Sequence, residues 1–326
     1  MKKYSNIYTC LVDQNTIWDA YYLAKKRKAL TNNALIFQIN EEENLNKLHT
    51  ELLNKSYIPN NYNTFKIFEP KERIIAAASF RDRIVHHAII LSTEEYFEKF
   101  QIYHSYACRK NKGTHKAILY ALNKSKKYKY YLKMDIRKYF DSVNHTILKE
   151  KLRLLFYDVD LLNLLDKIID SYEIERNLGI PIGNLTSQYY ANYYLGFMDH
   201  FIKEELQVKP YVRYMDDFLL FSNNIAQLNL CQNEIEKFVR VNLELDCKRP
   251  IINSTSNGIS FLGFLIKPKG IYLLSEKKKA VIKKLNLLKK EFQSGYLSEE
   301  QYAARLSTIF SYLEFARSLE FRKMIL

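Results

Sequence analysis

The chain reads as an α+β protein, because amphipathic helical stretches and short β-rich runs follow one another irregularly, without a repeating strand–helix–strand array. No internal repeat, low-complexity linker or Pro/Gly-rich boundary divides it. Hydrophobic residues make up 47% of its 326 residues, enough to bury a core, which excludes wholesale disorder.

The elements follow from local pattern. From Thr16 to Lys28, Ile17, Ala20, Tyr21 and Ala24 share a face and Lys25-Lys26-Arg27-Lys28 closes the stretch, predicting a helix. That basic run is either a solvated face or an RNA contact. A second helix is expected from about Glu42 to Lys55, with Leu45, Leu48, Leu52 and Leu53 inward and Pro59 ending the region. Tyr62 to Ile75, where Phe65 and Ile67 alternate with polar neighbours, predicts extended or hairpin structure. Arg81 to Phe97 reads as a long helix burying Ile84, Val85, Ala88, Ile89 and Leu91, and Thr114 to Ser125 as another. Tyr128 to Asp135 is a β-rich run ending in an acid.

Further helices are expected from His145 to Leu155, Leu161 to Tyr172 and Thr186 to Leu206. Short apolar strands, Tyr211 to Tyr214 and Phe218 to Ser222, flank Met215-Asp216-Asp217. Gln227 to Asn242 is helical by its period. Phe261 to Ile266 and Gly270 to Leu274 predict a hairpin across Pro268-Lys269, and after Glu276 the chain becomes a Lys-rich helical tail.

A net charge of +14 favours a polyanionic partner, since each neutralised phosphate releases counterions. Charge alone does not decide this. The 26 Tyr and 19 Phe could stack on bases, although most are expected to fill the core. The four cysteines, Cys10, Cys108, Cys231 and Cys247, are scattered without a CxxC pair, and no His spacing suggests zinc. Reduced thiols and a cytoplasmic setting are the economical expectation. No apolar h-region follows the N-terminus, so a signal peptide is not expected, and no apolar run approaches the ~20 residues of a spanning helix.

The acids carry the chemistry. Asp135 ends the apolar run Tyr130-Tyr131-Leu132-Lys133-Met134, and Asp216 and Asp217 sit between two apolar runs. Adjacent acids point opposite ways in an extended chain, whereas in a tight hairpin turn both can approach one metal pair. Like charges flanked by buried β sequence are costly without a counter-cation. The pattern therefore favours hard oxygen ligands for divalent ions of the kind that nucleotidyl transfer uses in pairs. A structural acidic loop is the alternative.

Arg213-Tyr214-Met215-Asp216-Asp217-Phe218 resembles the Tyr-x-Asp-Asp box of reverse transcriptases. The run from Lys133 through Asp135, Phe140 and Asp141 to His145 resembles their first catalytic box, as in group II intron and related bacterial enzymes. Phe261-Leu262-Gly263-Phe264 resembles the primer-grip hairpin, and the order and spacing match a right-hand palm from about Phe65 to Leu274. In Gly179-Ile180-Pro181-Ile182-Gly183-Asn184-Leu185-Thr186-Ser187-Gln188, Ile182 stands where most of these enzymes carry Gln, and Gln188 where they carry Pro. That departure resembles the enzymes of diversity-generating retroelements. Pro70-Lys71-Glu72-Arg73, the stretch from Ser79 to Ala88 and the compact length are also similar to that family.

The resemblance implies a right-hand polymerase with fingers, palm and helical thumb. Residues 1–60 would be an N-terminal helical extension, 61–127 and 146–178 fingers and fingers/palm elements, 128–145 and 179–274 the palm with the catalytic site and primer grip, and 275–326 the thumb. It implies copying of a template-repeat RNA into cDNA with misincorporation opposite adenines, so that the cDNA diversifies a target gene. Implied partners are template RNA, the RNA/cDNA duplex, dNTPs and a small basic oligomeric accessory protein in a ribonucleoprotein; no membrane is implied. A retron, antiphage or group II intron-like enzyme is the alternative, and a non-catalytic RNA-binding scaffold on a palm fold is another.

By the same resemblance Asp135, Asp216 and Asp217 would hold two Mg²⁺, with Mn²⁺ a possible substitute and the Ile136 carbonyl an extra ligand. Phe140 would lie beneath the incoming sugar and exclude a 2′-hydroxyl, unless it is a core ring, as Tyr139 is expected to be. Arg73 matches the arginine that clamps the triphosphate through its planar fork, unless it makes a surface salt bridge, and Lys71 is a second candidate. Ile182 would sit near the nascent pair, where an apolar side chain removes a polar check on geometry; simple packing is the alternative. Gly183 would permit close approach of template or nucleotide, and Gln188 would contact the template backbone. Phe261, Leu262, Gly263 and Phe264 would grip the primer, and lysines from Lys277 to Lys290 would track the duplex while Val281, Leu285 and Leu288 face inward.

Overall fold

A computed structural model of the chain describes residues 4–26, 31–68 and 72–325. It opens with four helices: α1 (Ile7–Leu11), α2 (Gln14–Lys25), α3 (Asn32–Ile39) and α4 (Glu41–Leu53). Strands β1 (Asn63–Ile67) and β2 (Arg73–Ala77) precede α5 (Phe80–Phe100) and α6 (Thr114–Lys127). Strand β3 (Tyr130–Asp135) leads through a 3-10 turn at Tyr139–Ser142 to α7 (His145–Leu155), α8 (Val159–Asp170) and α9 (Leu185–His200). Next come β4 (Tyr211–Tyr214), β5 (Asp217–Ser222), α10 (Ile225–Leu243) and β6 (Ile251–Ser254). Strands β7 (Ile259–Phe261), β8 (Phe264–Lys267) and β9 (Gly270–Leu273) lead to α11 (Ser275–Gln293), α12 (Glu299–Glu314) and α13 (Leu319–Ile325). The expected α+β class holds.

The chain forms two compact units. The first comprises Met1–Tyr103, Ile136–Glu205 and Ile235–Cys247. Its centre is α5, on which α2 and α9 pack. Ile17, Ala20, Tyr21 and Ala24 of α2 are buried as their spacing requires, with Ile84, Val85, Ala88 and Ile89 of α5. Asp158 caps α8 through the Leu161 amide and also accepts from the Ile7 and Tyr8 amides, tying α1 to that helix. The second unit comprises His104–Asp135, Leu206–Glu234 and Lys248–Leu326, so α10 contributes to both. It contains an antiparallel sheet of order β4-β5-β3-β6 and a second of order β7-β8-β9. Its core joins Tyr131, Val212, Leu219 and Phe221 of the first sheet to Phe261, Phe264 and Ile266 of the second and to Val281, Leu288 and Leu313 of the terminal helices.

Several sequence expectations need correction. Leu53 and Leu91, expected inward, are 50% and 44% exposed; each lies at the margin of its helix's apolar stripe. The extended or hairpin structure expected from Tyr62 to Ile75 is the two-stranded β1–β2 hairpin, with Phe65 exposed and Ala76 buried. The strand expected from Phe261 to Ile266 is two strands, broken by a turn at Leu262-Gly263, with β8 pairing to both β7 and β9. The helix expected to continue to Leu206 ends at His200 and relaxes into a π-helical turn at Phe201–Glu205. Helices α1 and α3 carry too few apolar repeats to be read from the sequence. The expected helix end at Arg27-Lys28 lies outside the described residues, as do Pro70 and Lys71.

Candidate active site

The acids are assembled by β pairing. In the register of β3 and β5, Asp135 is the partner of Asp217, and Tyr214 pairs with Asp217 to close the β4–β5 hairpin. Met215 and Asp216 are its two-residue turn. Met215 adopts φ +53°, the left-handed region that a two-residue hairpin of this hand demands at its first turn position. Asp135, far from the other two in sequence, is thus brought to the same end of one sheet as the adjacent Asp216 and Asp217.

Two lysines face them. Lys133 lies two residues before Asp135 on β3, hence on the same face. Its Nζ stands 3.2 Å from Asp217 Oδ2 and donates to the Ser260 carbonyl at 2.7 Å. Lys248 Nζ stands 2.6 Å from Asp135 Oδ1, without the alignment of a hydrogen bond, and its backbone amide donates to the Asp135 carbonyl. The Oδ1 of Asp217 is buried and accepts no hydrogen bond. Burial is the largest cause that pushes the Asp217 carboxyl up to about 7; Lys133 opposes the rise, and Asp135 and Asp216 add to it.

As they stand, no three His, Cys, Asp or Glu side chains among the described residues converge closely enough to enclose a metal ion. The two paired carboxylates are turned to their lysines instead. The donor chemistry nevertheless fits a hard divalent cation: carboxylate oxygens only, one of them buried without a partner. Placing a cation there requires the ion pairs with Lys133 and Lys248 to open.

The other candidate residues are placed as follows. Ile136 is buried and begins the second stretch of the first unit, its backbone bridged to Cys247 of the same unit. Phe140, in the 3-10 turn, is half-buried, its carbonyl accepting from the Ile180 amide, while Tyr139 is in the core and donates to the Ala191 carbonyl. Arg73 is exposed at the start of β2, opposite Ile67, with no ion pair among the described residues. Arg81 instead pairs with Glu51 and Asp82. Lys71 lies outside the described residues.

Ile182 is half-buried, and its carbonyl accepts from the Ala76 amide of β2 at 3.2 Å. Gly183 adopts φ +112°, and a Cβ there would come within 3.1 Å of Ile75 Cγ2. Backbone conformation and a neighbouring strand thus suffice to require glycine there. Gln188 is half-buried in the first turns of α9. Phe261 and Phe264 are both buried as register partners, and Leu262 and Gly263 form the turn between them. Lys278, Lys279, Lys283, Lys284, Lys289 and Lys290 line the exposed face of α11.

Sequence reasoning missed Lys133, Lys248 and Arg213. Strand alternation signals Lys133, and a cation inside an apolar strand signals Arg213. Lys248 follows from no local pattern.

The reverse transcriptase (RNA-dependent DNA polymerase) family model matches residues 59–266. Protein YkfC of Escherichia coli (strain K12) is 26% identical over 278 residues, 69% of this chain and 72% of that protein. The COX1/OXI3 intron 2 protein of Saccharomyces cerevisiae is 22% identical over 300 residues, 68% of this chain but 35% of its own length. The fold is similar to apo telomerase from Candida tropicalis, with TM-score 0.51, 13% identity, and coverage of 70% of this chain and 52% of that one. Telomerase from Candida albicans, solved with a fragment of telomeric RNA, gives TM-score 0.51, 12% identity and coverage of 78% and 54%. The chain spans about half the length of these telomerase chains.

Proposed function

The chain belongs to the reverse transcriptase (RNA-dependent DNA polymerase) family, and from that premise we propose that it polymerises DNA on an RNA template with Asp135, Asp216 and Asp217 as its catalytic acids. The observation that carries the reading is the register pairing of Asp135 with Asp217, with Asp216 in the adjoining turn. The three carboxylates and the Ile136 carbonyl would hold two Mg²⁺, or Mn²⁺ in their place, which supply the charge that nucleotidyl transfer requires. Lys133 and Lys248 neutralise two of the carboxylates within the protein itself.

The remaining roles extend this reading. Phe140 selects against a 2′-hydroxyl. Arg73, with Lys71, holds the triphosphate of the incoming dNTP. The Phe261-Leu262-Gly263-Phe264 turn grips the primer, Gln188 meets the template backbone, and the exposed lysines of α11 follow the phosphates of the RNA/cDNA duplex as a thumb. Residues 128–145 and 179–274 act as the palm, residues 61–127 and 146–178 supply the fingers, and residues 1–60 are an N-terminal extension.

At the finer level, the enzyme makes adenine-mutagenic cDNA from a template-repeat RNA, as diversity-generating retroelements do, in the cytoplasm and with a small basic accessory protein. Ile182 and Gln188 support this, because an apolar side chain at position 182 cannot hydrogen-bond a substrate to check its geometry. A retron or antiphage enzyme is a less favoured alternative, and the likeness to the COX1/OXI3 intron 2 protein supports a second reading, an intron-type enzyme.

Primer extension on an RNA template with Mg²⁺ and dNTPs tests the activity. Asp216→Ala should abolish extension and leave RNA binding nearly unchanged; full extension by that variant contradicts the assignment. Sequencing the cDNA tests the finer level, with errors concentrated opposite template adenine expected and an even error spectrum contradicting it.

A further inference from the structure

Strand β4 lies at the edge of the catalytic sheet and carries Arg213, whose side chain is fully buried. It is among the largest side chains wholly removed from solvent. A guanidinium is kept out of water only where its hydrogen-bonding groups find partners in the fold. Its backbone is held on the outer side of the strand, where the amide donates to the His104 carbonyl at 3.0 Å and the carbonyl accepts from the Tyr106 amide at 2.9 Å. Among the contacts of its side chain, Nη1 donates to the Met215 carbonyl at 3.1 Å.

That carbonyl belongs to the peptide plane joining Met215 to Asp216. A peptide is planar, so a hydrogen bond to its oxygen also restrains the Asp216 nitrogen and Cα. Met215 is a non-glycine residue at φ +53°, a strained conformation that persists only where its surroundings over-determine it. The guanidinium supplies such a constraint at the one turn that presents the catalytic acids.

We propose that Arg213 is a positioning residue of the polymerase. Its side chain holds the Met215–Asp216 peptide in the left-handed turn, so that the Asp216 carboxylate stands ready beside Asp135 and Asp217. The inference rests on the polymerase reading for its purpose and on the turn geometry for its mechanism.

The test uses the full-length chain and Arg213→Met, Arg213→Lys, Met215→Gly and the Arg213→Met/Met215→Gly pair. Mn²⁺ binding without substrate is read by electron paramagnetic resonance, thermal melting reports folding, and single-turnover extension is measured in parallel. Thermal melting shows whether Arg213→Met folds, since loss of the guanidinium also removes its other buried contacts. The folded variant should bind Mn²⁺ about tenfold or more weakly and slow the chemical step by at least as much, with primer–template affinity unchanged. Arg213→Lys should recover part of both losses. Glycine tolerates a positive φ, so Arg213→Met should cost less in the Met215→Gly background than alone.

Wild-type Mn²⁺ affinity and chemical rate in a folded Arg213→Met overturn the proposal, as does an equal cost in the two backgrounds. If Arg213→Met does not fold, Arg213→Lys decides: weakened Mn²⁺ binding at unchanged primer–template affinity supports the proposal, and unchanged Mn²⁺ binding overturns it. A wild-type chain that extends no primer refutes the polymerase reading instead, while the Mn²⁺ comparison still tests the turn.

Discussion

Asp217 is a carboxyl whose burial raises its pKa to about 7. Such a group binds its proton more tightly folded than unfolded. Its destabilising effect on the fold develops between about pH 4 and about pH 7 and stays constant above, at a few kcal/mol in order of magnitude. Asp217→Asn should therefore melt higher than wild type above about pH 7 without divalent ions, the gap closing towards about pH 4. Added Mg²⁺ should raise the melting temperature of wild type more than that of the variant. A variant that melts below wild type at the higher pH contradicts the account. His86 has the opposite sign: its ring is buried in α5, and desolvation, aided by His87 and Arg83, lowers its pKa to about 3. It costs stability as the pH falls from about 6.5 towards about 3, because only the unfolded chain takes up the proton. His86→Leu should flatten the acid limb of a melting-temperature profile, and an unchanged limb refutes this. At position 182, Ile182→Gln should lower misincorporation opposite template adenine, read by sequencing the cDNA; an unchanged spectrum removes Ile182 from the fidelity mechanism. The acids themselves were legible in the sequence, because charge between apolar strands is rare. Their lysine partners were not, since Lys248 meets Asp135 only through the pairing of β3 with β6.

Among the elements, the Leu262-Gly263 turn has both residues at positive φ, +50° and +87°, which is the two-residue turn matched to the twist of a hairpin. A Cβ at Gly263 would stand 3.3 Å from Lys277 Cε, a flexible partner that can move, so backbone conformation is the larger obstacle. Gly263→Val should destabilise the chain by about 1–3 kcal/mol and weaken primer–template binding, measured by melting and by fluorescence anisotropy. Unchanged binding in a folded variant removes this turn from the primer site. The hairpin was legible as apolar residues around a glycine, yet its strand boundaries were not: Phe261 to Ile266 is continuously apolar apart from Gly263, and only the pairing of β7 with β8 reveals the break. The long helices α2 and α5 were read nearly to their ends, whereas α1 is a single turn and a half with little period to detect.

For the molecule as a whole, the charge of +14 and the exposed lysines of α11 imply binding dominated by phosphates. Affinity for an RNA/DNA duplex should fall linearly with salt on logarithmic axes. Replacing Lys283 and Lys284 by Gln should reduce that slope by about one for each phosphate no longer neutralised, whatever the sequence bound. No helix among the described residues is long and apolar enough to cross a membrane. The division into two units was not legible, because each gathers three separate stretches of chain and no linker composition marks the crossings. The central claim is that Asp135, Asp216 and Asp217 together hold divalent ions for polymerisation. Anomalous diffraction at the manganese edge, from crystals of the full chain with Mn²⁺, primer–template and a dNTP, tests it most directly. The account predicts manganese bound to the carboxylates of Asp135, Asp216 and Asp217; manganese bound elsewhere, with Asp135 and Asp217 still paired to Lys248 and Lys133, contradicts it.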